Sequence, residues 1–370
     1  MRPGPPFFAA PGLIVPLVHL LYIRSLLERI VIFSEPHMPR SREIHLRQFA
    51  TGALSSSNFE LVDIGVPPLS AGEVLVRNRW MSVDPYMRRR MSGEGGYLPA
   101  FVTGAPMEGA ALGEVVESRE SAFAPGDLVL SMFGWREVFK TRPEHLQKID
   151  PRGLPARAFL GIAGMPGLTA YVGLLRIAAL RQGDVVLVSA AAGAVGQVAC
   201  QIAKLKGHVV IGIAGGADKF AYLREIGVDA AIDYKAEPDL AGALTSVAPT
   251  GIDVYFDNVG GAHLEAALRT ARLHARFALC GMISEYNSGM PGTGIRNLFA
   301  ATAKDITLRG FIVSRHTDLR EEFLHELRSW VTAGKIRWRE TVEVGIENAP
   351  AAMMKLFSGE NVGKMLVRLD

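Results

Sequence analysis

Cysteine is the scarcest chemistry in this 370-residue chain, with Cys200 and Cys280 the only two. Two thiols exclude a disulfide framework and a four-cysteine zinc site, and both read as small core residues in a reducing, cytoplasmic compartment. The nine histidines form no His-Glu-x-x-His and no close His/Cys pair, so no metal site is expected. No Tyr-x-x-x-Lys pair exists, which removes a lysine-assisted tyrosine on one helix, and no Gly-x-Ser-x-Gly nucleophile elbow exists either. Charge of one sign is missing too. The net charge is +3 with signs mixed, and the densest basic run is Arg88-Arg89-Arg90, which argues against nucleic acid and against an anionic membrane surface as partners. Long apolar runs are absent: Leu13–Leu21 is broken by Pro16, and Ile23–Phe33 by Arg24, Glu28 and Arg29, short of the ~18 residues a membrane span needs. No convincing small-x-small cleavage site follows. Residues 1–37 therefore read as an extension without a structural role, before the fluent strand-like start Arg42–Arg47.

What is present points to a small-molecule enzyme. Val185–Val188 is a short apolar strand, Ser189–Gly196 a turn of small residues, and Gln197–Lys206 a helix. Small residues let the backbone approach a diphosphate, and the helix start offers free amides and a positive dipole end. Ala191 stands where a strict G-x-G-x-x-G would have its first glycine, so the strand and helix around it carry the reading. The next strand, 208–213, ends at Ala214-Gly215-Gly216 with no carboxylate at the tip. NAD sites usually place one there for the ribose hydroxyls, so its absence favours NADP. Lys219 supplies a nearby cation and Tyr234 a phenol, although Lys219 also reads as a solvated lysine at a helix start.

Residues 42–165 show short alternating runs between Gly/Pro/Asp turns, the pattern of a small barrel or sandwich. After Pro166 strands and helices alternate, predicting an α/β fold with a Rossmann-type doubly wound parallel sheet. Helices are expected over 168–180, 195–206, 218–226, 237–247, 261–272 and 321–333, and strands over 185–189, 230–232, 252–257, 275–280 and 307–313. The tail, 353–369, reads as a helix and a strand that rejoin the β part. Ligands of such sheets bind at the carboxyl ends of the strands, which collects Ser189–Gly196, Asp257–Gly261 and Cys280–Asn287 on one edge.

Trp80–Arg88, Val188–Gly196, Gln201–Gly207, Tyr255–Gly261 and Ser284–Asn287, in this order, resemble the medium-chain dehydrogenase/reductases. The closest likeness is to their zinc-independent branch of prostaglandin reductases, leukotriene B4 12-hydroxydehydrogenases and NADP-dependent alkenal/one reductases. The resemblance spans about residues 38–370 and implies a GroES-like β-barrel catalytic domain over 38–165, a Rossmann NADP-binding domain over 166–339, and a return to the catalytic domain over 340–370. It implies NADP(H) over Gly193, Ala194, Val195 and Gly196, with Lys219 and Tyr234 at the 2′-phosphate. Asn258, Cys280, Gly281, Ile283, Ser284, Tyr286, Phe311, Ile312, Val313 and Asn361 would line the nicotinamide half. A cysteine of the zinc-dependent relatives is replaced within Ser82-Val83-Asp84, and a homodimer is implied as well. Arg89 departs from the pattern, since relatives tend to have glycine between two arginines, and Gly93–Gly96 reads as a mobile segment on the substrate side.

The reaction so implied is metal-free hydride transfer from NADPH to the β-carbon of an enone or enal. Negative charge then builds on the carbonyl oxygen and needs a hydrogen-bond donor. Tyr286, acting directly or through the nicotinamide ribose hydroxyl, is the first candidate and Tyr86 the second. A zinc-free quinone reductase, a secondary-alcohol dehydrogenase and a non-catalytic NADPH-binding protein share the same sequence features.

Overall fold

In the computed structural model the described residues are 38–287 and 294–369, with 1, 3 and 4. The extension expected over residues 1–37 lies outside them. Residues 40–370 cluster as one compact unit built on two main sheets.

The first sheet grows from the alternating runs. Strands β1 (Arg40–Leu46) and β2 (Phe59–Gly65) form an antiparallel hairpin, a two-stranded sheet of its own ahead of it. Then come β3 (Val74–Ser82), a single helical turn α1 (Met87–Arg90), β4 (Ala111–Ser118), β5 (Leu128–Ser131), β6 (Val138–Thr141) and β7 (Gln147–Lys148). Alternation turns Val74, Val76, Val115, Val129 and Phe139 onto one buried face.

The second sheet holds β8 (Val185–Val188), β9 (Val209–Ala214), β10 (Ala230–Asp233), β11 (Ile252–Asp257), β12 (Ala271–Leu279) and β13 (Thr307–Gly310). All pair in parallel, in the order β10-β9-β8-β11-β12-β13. Val186–Val188 and Val254–Phe256 are fully buried because helices cover both faces. Each such side chain contributes ~1.5–3 kcal/mol. The intervening helices are α2 (Met165–Val172), α3 (Gly196–Leu205), α4 (Ala217–Glu225), α5 (Leu240–Val247), α6 (Gly261–Thr270), α7 (Phe299–Ala303) and α8 (Arg320–Thr332). The chain leaves β8 in one direction for β9 and β10, then returns to β11 on its other side. That reversal opens the crevice in which ligands of such sheets lie.

Several elements differ in extent from the sequence reading: β12 begins at Ala271, ahead of the expected 275, and α5 at Leu240, after the expected 237. The helix expected over 168–180 stops at Val172 and widens into a π turn over Gly173–Ile177. A Cβ on Gly173 would stand 2.3 Å from Cε2 of Phe256, so only glycine lets this turn lie on the sheet. The strand expected over 307–313 ends at Gly310, because Val313–Arg315 turns into a short 3-10 segment.

After α8 the chain crosses back. Strand β14 (Glu340–Val344), helix α9 (Ala349–Ser358) and β15 (Lys364–Arg368) follow, and α9 stops at Gly359 with φ +70°. β15 pairs parallel with β14 and antiparallel with β3, Leu366 opposite Ser82, completing the first sheet as the tail pattern predicts.

Candidate active site

The turn after β8 is shaped by what cannot fit there. A Cβ on Gly196 would lie 2.2 Å from the Ala190 carbonyl oxygen and 2.7 Å from Ala191 Cα, so the helix start presses on the turn backbone. Ala190 itself takes φ +45°, a conformation that costs an L-residue ~1–2 kcal/mol. Gly193 is held from outside: it bridges Gly363, whose amide donates to the Ala192 carbonyl at 2.7 Å. The short segment leading into β15 thus runs beside the turn. Gln197, on the first turn of α3, is buried and accepts from the Tyr222 hydroxyl at 2.5 Å and the Arg339 amide at 2.9 Å. These contacts leave a rigid small-residue cradle at a helix N-terminus, a shape that suits a diphosphate.

At the tip of β9, Gly215 is crowded by cationic and phenolic groups: a Cβ there would meet Tyr234 at 2.7 Å and Lys235 Cε at 3.0 Å. Lys219 Nζ donates to the Gly359 carbonyl at 2.8 Å, and burial, then the neighbouring Lys235, lower its pKa. The half-exposed Tyr234 ring meets the buried His263 edge-on at 5.1 Å. Asp233, at the end of the neighbouring strand β10, accepts from the Gly216 amide at 3.1 Å and the Lys235 amide at 3.0 Å, so its charge is turned into the backbone. Lys235 escaped the sequence reading, although its position beside Tyr234 was the available signal.

The ends of β11 and β12 are joined through Asp257, fully buried. Its Oδ1 accepts from Tyr255 at 2.7 Å, the Val259 and Gly260 amides at 2.9 Å, and Ser189 at 3.2 Å. Burial raises its pKa despite these donors. Asn258 donates to the Ser189 carbonyl at 2.7 Å, locking the β8 and β11 tips together. Cys280 and Gly281 both donate backbone amides to the Asp257 carbonyl, and burial pushes the Cys280 thiol up to about 12. Ile283–Glu285 is one 3-10 turn, with Ser284 Oγ donating to the Val259 carbonyl at 2.6 Å. The Tyr286 hydroxyl folds back over this turn and accepts from the Met282 amide at 3.3 Å. Its proton remains available to a ligand. Burial, its largest cause, raises the Tyr286 pKa. Phe311 stands edge-on to Phe256 at 6.3 Å, with Ile312 and Val313 following, and the buried Asn361 donates to the Gly363 carbonyl at 2.9 Å.

The first sheet supplies the facing rim. Tyr86, Arg89, Gly95, Gly96 and Tyr97 line a narrow cleft. Burial and then Asp84 raise the Tyr86 pKa far above the ordinary phenol value. Tyr97 is pushed up to about 12, by burial and then by Tyr286, Asp84 and Cys280. One phenol thus lies within electrostatic reach of both candidate donors, and sequence reasoning missed it because it sits just past the Gly93–Gly96 loop. Arg89 approaches Gly96 and adds its charge near Tyr286. Arg88 is buried and ties the two rims, donating to Asn287 at 3.0 Å and to the Gly52 carbonyl at 2.6 Å. A depression of about 800 Å³ bordered by Trp80, Arg157, Trp338 and Arg368 includes none of the predicted site residues. It is an open groove, away from the two rims that carry the predicted residues.

Among the described residues, no group of three His, Cys, Asp or Glu side chains could hold a metal ion. Asp84, in the stretch where zinc-dependent relatives have their cysteine, is paired instead with the Lys364 ammonium.

Residues 42–149 match the family model described as the N-terminal domain of oxidoreductase, and residues 194–329 the one described as zinc-binding dehydrogenase. The chain is 40% identical to a 2-alkenal reductase (NADP(+)-dependent) of Nicotiana tabacum, over 89% of this chain and 98% of that protein. It is 42% identical to prostaglandin reductase 1 of Bos taurus, over 90% of this chain and 100% of that protein. Among solved structures, CurA from Vibrio vulnificus in complex with NADPH superposes with a TM-score of 0.85 at 38% identity, covering 89% of this chain and 99% of that one.

Proposed function

The chain belongs to the medium-chain dehydrogenase/reductases, in the branch of the alkenal and prostaglandin reductases, and from that premise we propose that it reduces the carbon–carbon double bond of α,β-unsaturated ketones and aldehydes with NADPH. One observation carries the reading. A glycine cradle without room for a Cβ and a strand tip bearing Lys219, Tyr234 and Lys235 share an edge with Tyr286, which lies within electrostatic reach of Tyr97 on the facing rim.

In this reading Gly193, Ala194, Val195 and Gly196 hold the diphosphate on backbone amides, and Lys219, Tyr234 and Lys235 hold the 2′-phosphate. Asn258, Cys280, Gly281, Ile283, Ser284, Tyr286, Phe311, Ile312, Val313 and Asn361 enclose the nicotinamide half. NADPH, when bound, supplies a hydride to the substrate β-carbon. The double-bond electrons then move toward the carbonyl oxygen, and the Tyr286 hydroxyl donates to the resulting enolate oxygen, worth ~3 kcal/mol. A proton taken up at the α-carbon completes the reduction. Tyr86, whose pKa is also raised, stays a neutral donor across physiological pH and is the second candidate.

The finer parts of the reading have their own support. The β13 edge, Thr307–Gly310, ends the parallel sheet with exposed residues and offers itself to a second copy, as a homodimer requires. Cys200 and Cys280 are both free, which suits a cytoplasmic, reducing location. No described helix is long and apolar enough to cross a membrane. The lobe boundaries at 165/166 and 339/340 belong to the same proposal.

The test is NADPH oxidation by the purified chain with enones, enals, quinones and alcohols, with the product weighed by mass spectrometry. A product two hydrogens heavier that keeps its carbonyl is expected. Turnover of quinones alone, or no turnover, would defeat the assignment.

A further inference from the structure

We propose that Lys364 is a positioning residue that neutralises Asp84, the buried carboxylate beside the substrate-facing phenols, so that negative charge can develop on the substrate oxygen. This rests on the enone-reductase reading and adds to it a residue outside the cofactor and donor sets.

Lys364 opens β15 and is 2% exposed. Its Nζ lies 3.1 Å from Asp84 Oδ1 and donates to the carbonyls of Val83 and Met365, each at 2.8 Å. An ammonium has three N–H donors, so none is left to reach a ligand. The second Asp84 oxygen accepts from Ser82 Oγ, and Asp84 is 4% exposed. Neither partner can touch substrate, yet Asp84 stands two residues before Tyr86, and its charge raises the pKa of both the Tyr86 and Tyr97 phenols. Of the other cations on this rim, Arg88 donates to Asn287, Arg89 lies against Gly96 near Tyr286, and Arg90, paired with Glu108 at 2.7 Å, also opposes Asp84 at both phenols. An uncompensated carboxylate in so dry a place would oppose a second negative charge forming on the same rim. The residue before Lys364, Gly363, is bonded to the Ala192 carbonyl of the cofactor turn. The same short segment therefore fixes the cation relative to both rims.

A purely structural pair needs both members alike, whereas neutralisation gives them opposite signs, and that asymmetry is the test. In Lys364→Met, kcat for an enone should fall about tenfold or more, while NADPH affinity, read by nicotinamide fluorescence, holds within about twofold. Asp84→Asn removes the offending charge, so kcat should stay within about threefold of wild type or exceed it. The double variant should recover the turnover lost in Lys364→Met. Melting temperatures of all three show which are folded. An equal fall in both single variants, or full turnover in Lys364→Met, overturns the proposal. Should Lys364→Met fail to fold, Asp84→Asn decides alone: retained turnover supports neutralisation, and a fall beyond about threefold refutes it. Failure of the wild-type chain to reduce enones would instead sink the reading beneath it, and this assignment with it.

Discussion

The two rims of the candidate site are built on opposite principles. The rim of the parallel sheet is made mostly of backbone: the 189–196 turn, the Gly215 tip and the Asp257-supported ends of β11 and β12 present amides and small residues held by local geometry. The rim of the antiparallel sheet is made of side chains: Tyr86, Arg89 and Tyr97 stand on a short helix and a glycine-rich loop. A backbone rim suits a ligand whose charge and shape do not vary. A side-chain rim can be retuned for different substrates without disturbing the first.

The contrast breaks most easily where a side chain is forced into the backbone rim. Gly196→Val puts atoms 2.2 Å from the Ala190 carbonyl. It should lower NADPH affinity by about a hundredfold or more, since each charge-assisted hydrogen bond lost contributes ~1.5–3 kcal/mol, as read by fluorescence titration. Substrate competition could not rescue it. If the variant binds NADPH normally, the cradle is elsewhere. Next in size is Tyr286→Phe, which deletes one polar atom and keeps the ring. Turnover should drop about a hundredfold with NADPH affinity unchanged. The lost bond to the Met282 amide is long at 3.3 Å, so a melting curve close to wild type accompanies the loss.

How much of this was legible in the sequence follows from the same division. Strand, small-residue turn and helix are local patterns, so the parallel sheet and the 193–196 turn could be read directly. The π turn at Gly173–Ile177 could not, because its cause is the Phe256 ring on a distant strand. On the side-chain rim Tyr86 and Arg89 were legible, whereas Tyr97 and the buried Lys364 were hidden for a similar reason. Lys364 bonds to a carbonyl 281 positions earlier, and Tyr97 comes within electrostatic reach of Tyr286 across 189 positions of sequence. The loop beside Tyr97 was identified as a substrate-side segment, yet its phenol was not, since nothing periodic marks a lone tyrosine there.

Lys219→Ala should sharpen the comparison at the border of the backbone rim, where a side chain takes over. NADPH affinity should weaken about tenfold while NADH affinity stays put, because only one coenzyme carries the 2′-phosphate that a cation rewards. Equal weakening of both would mean that Lys219 acts by holding Gly359. Tyr97→Phe should be milder, about threefold in kcat for an enone, as expected of a donor beside the principal one.

The smallest effect concerns Cys280, at the end of β12 on the parallel-sheet rim. Burial, reinforced by Asp257, moves its thiol from an ordinary value near 9 up to about 12. At pH 8 it is therefore overwhelmingly protonated, and the thiolate is the reactive form. The native protein should stay unlabelled by iodoacetamide at Cys280 and unmodified by its own substrate, whereas the unfolded chain labels readily, as peptide mass mapping can show. The sign for stability follows from the raised value. The folded state holds this proton more tightly than the unfolded state, so the contribution is complete below about pH 9 and disappears between about 9 and 12. A native thiol that alkylates at pH 8 would place Cys280 in the reactive rim of side chains and not in the inert backbone one.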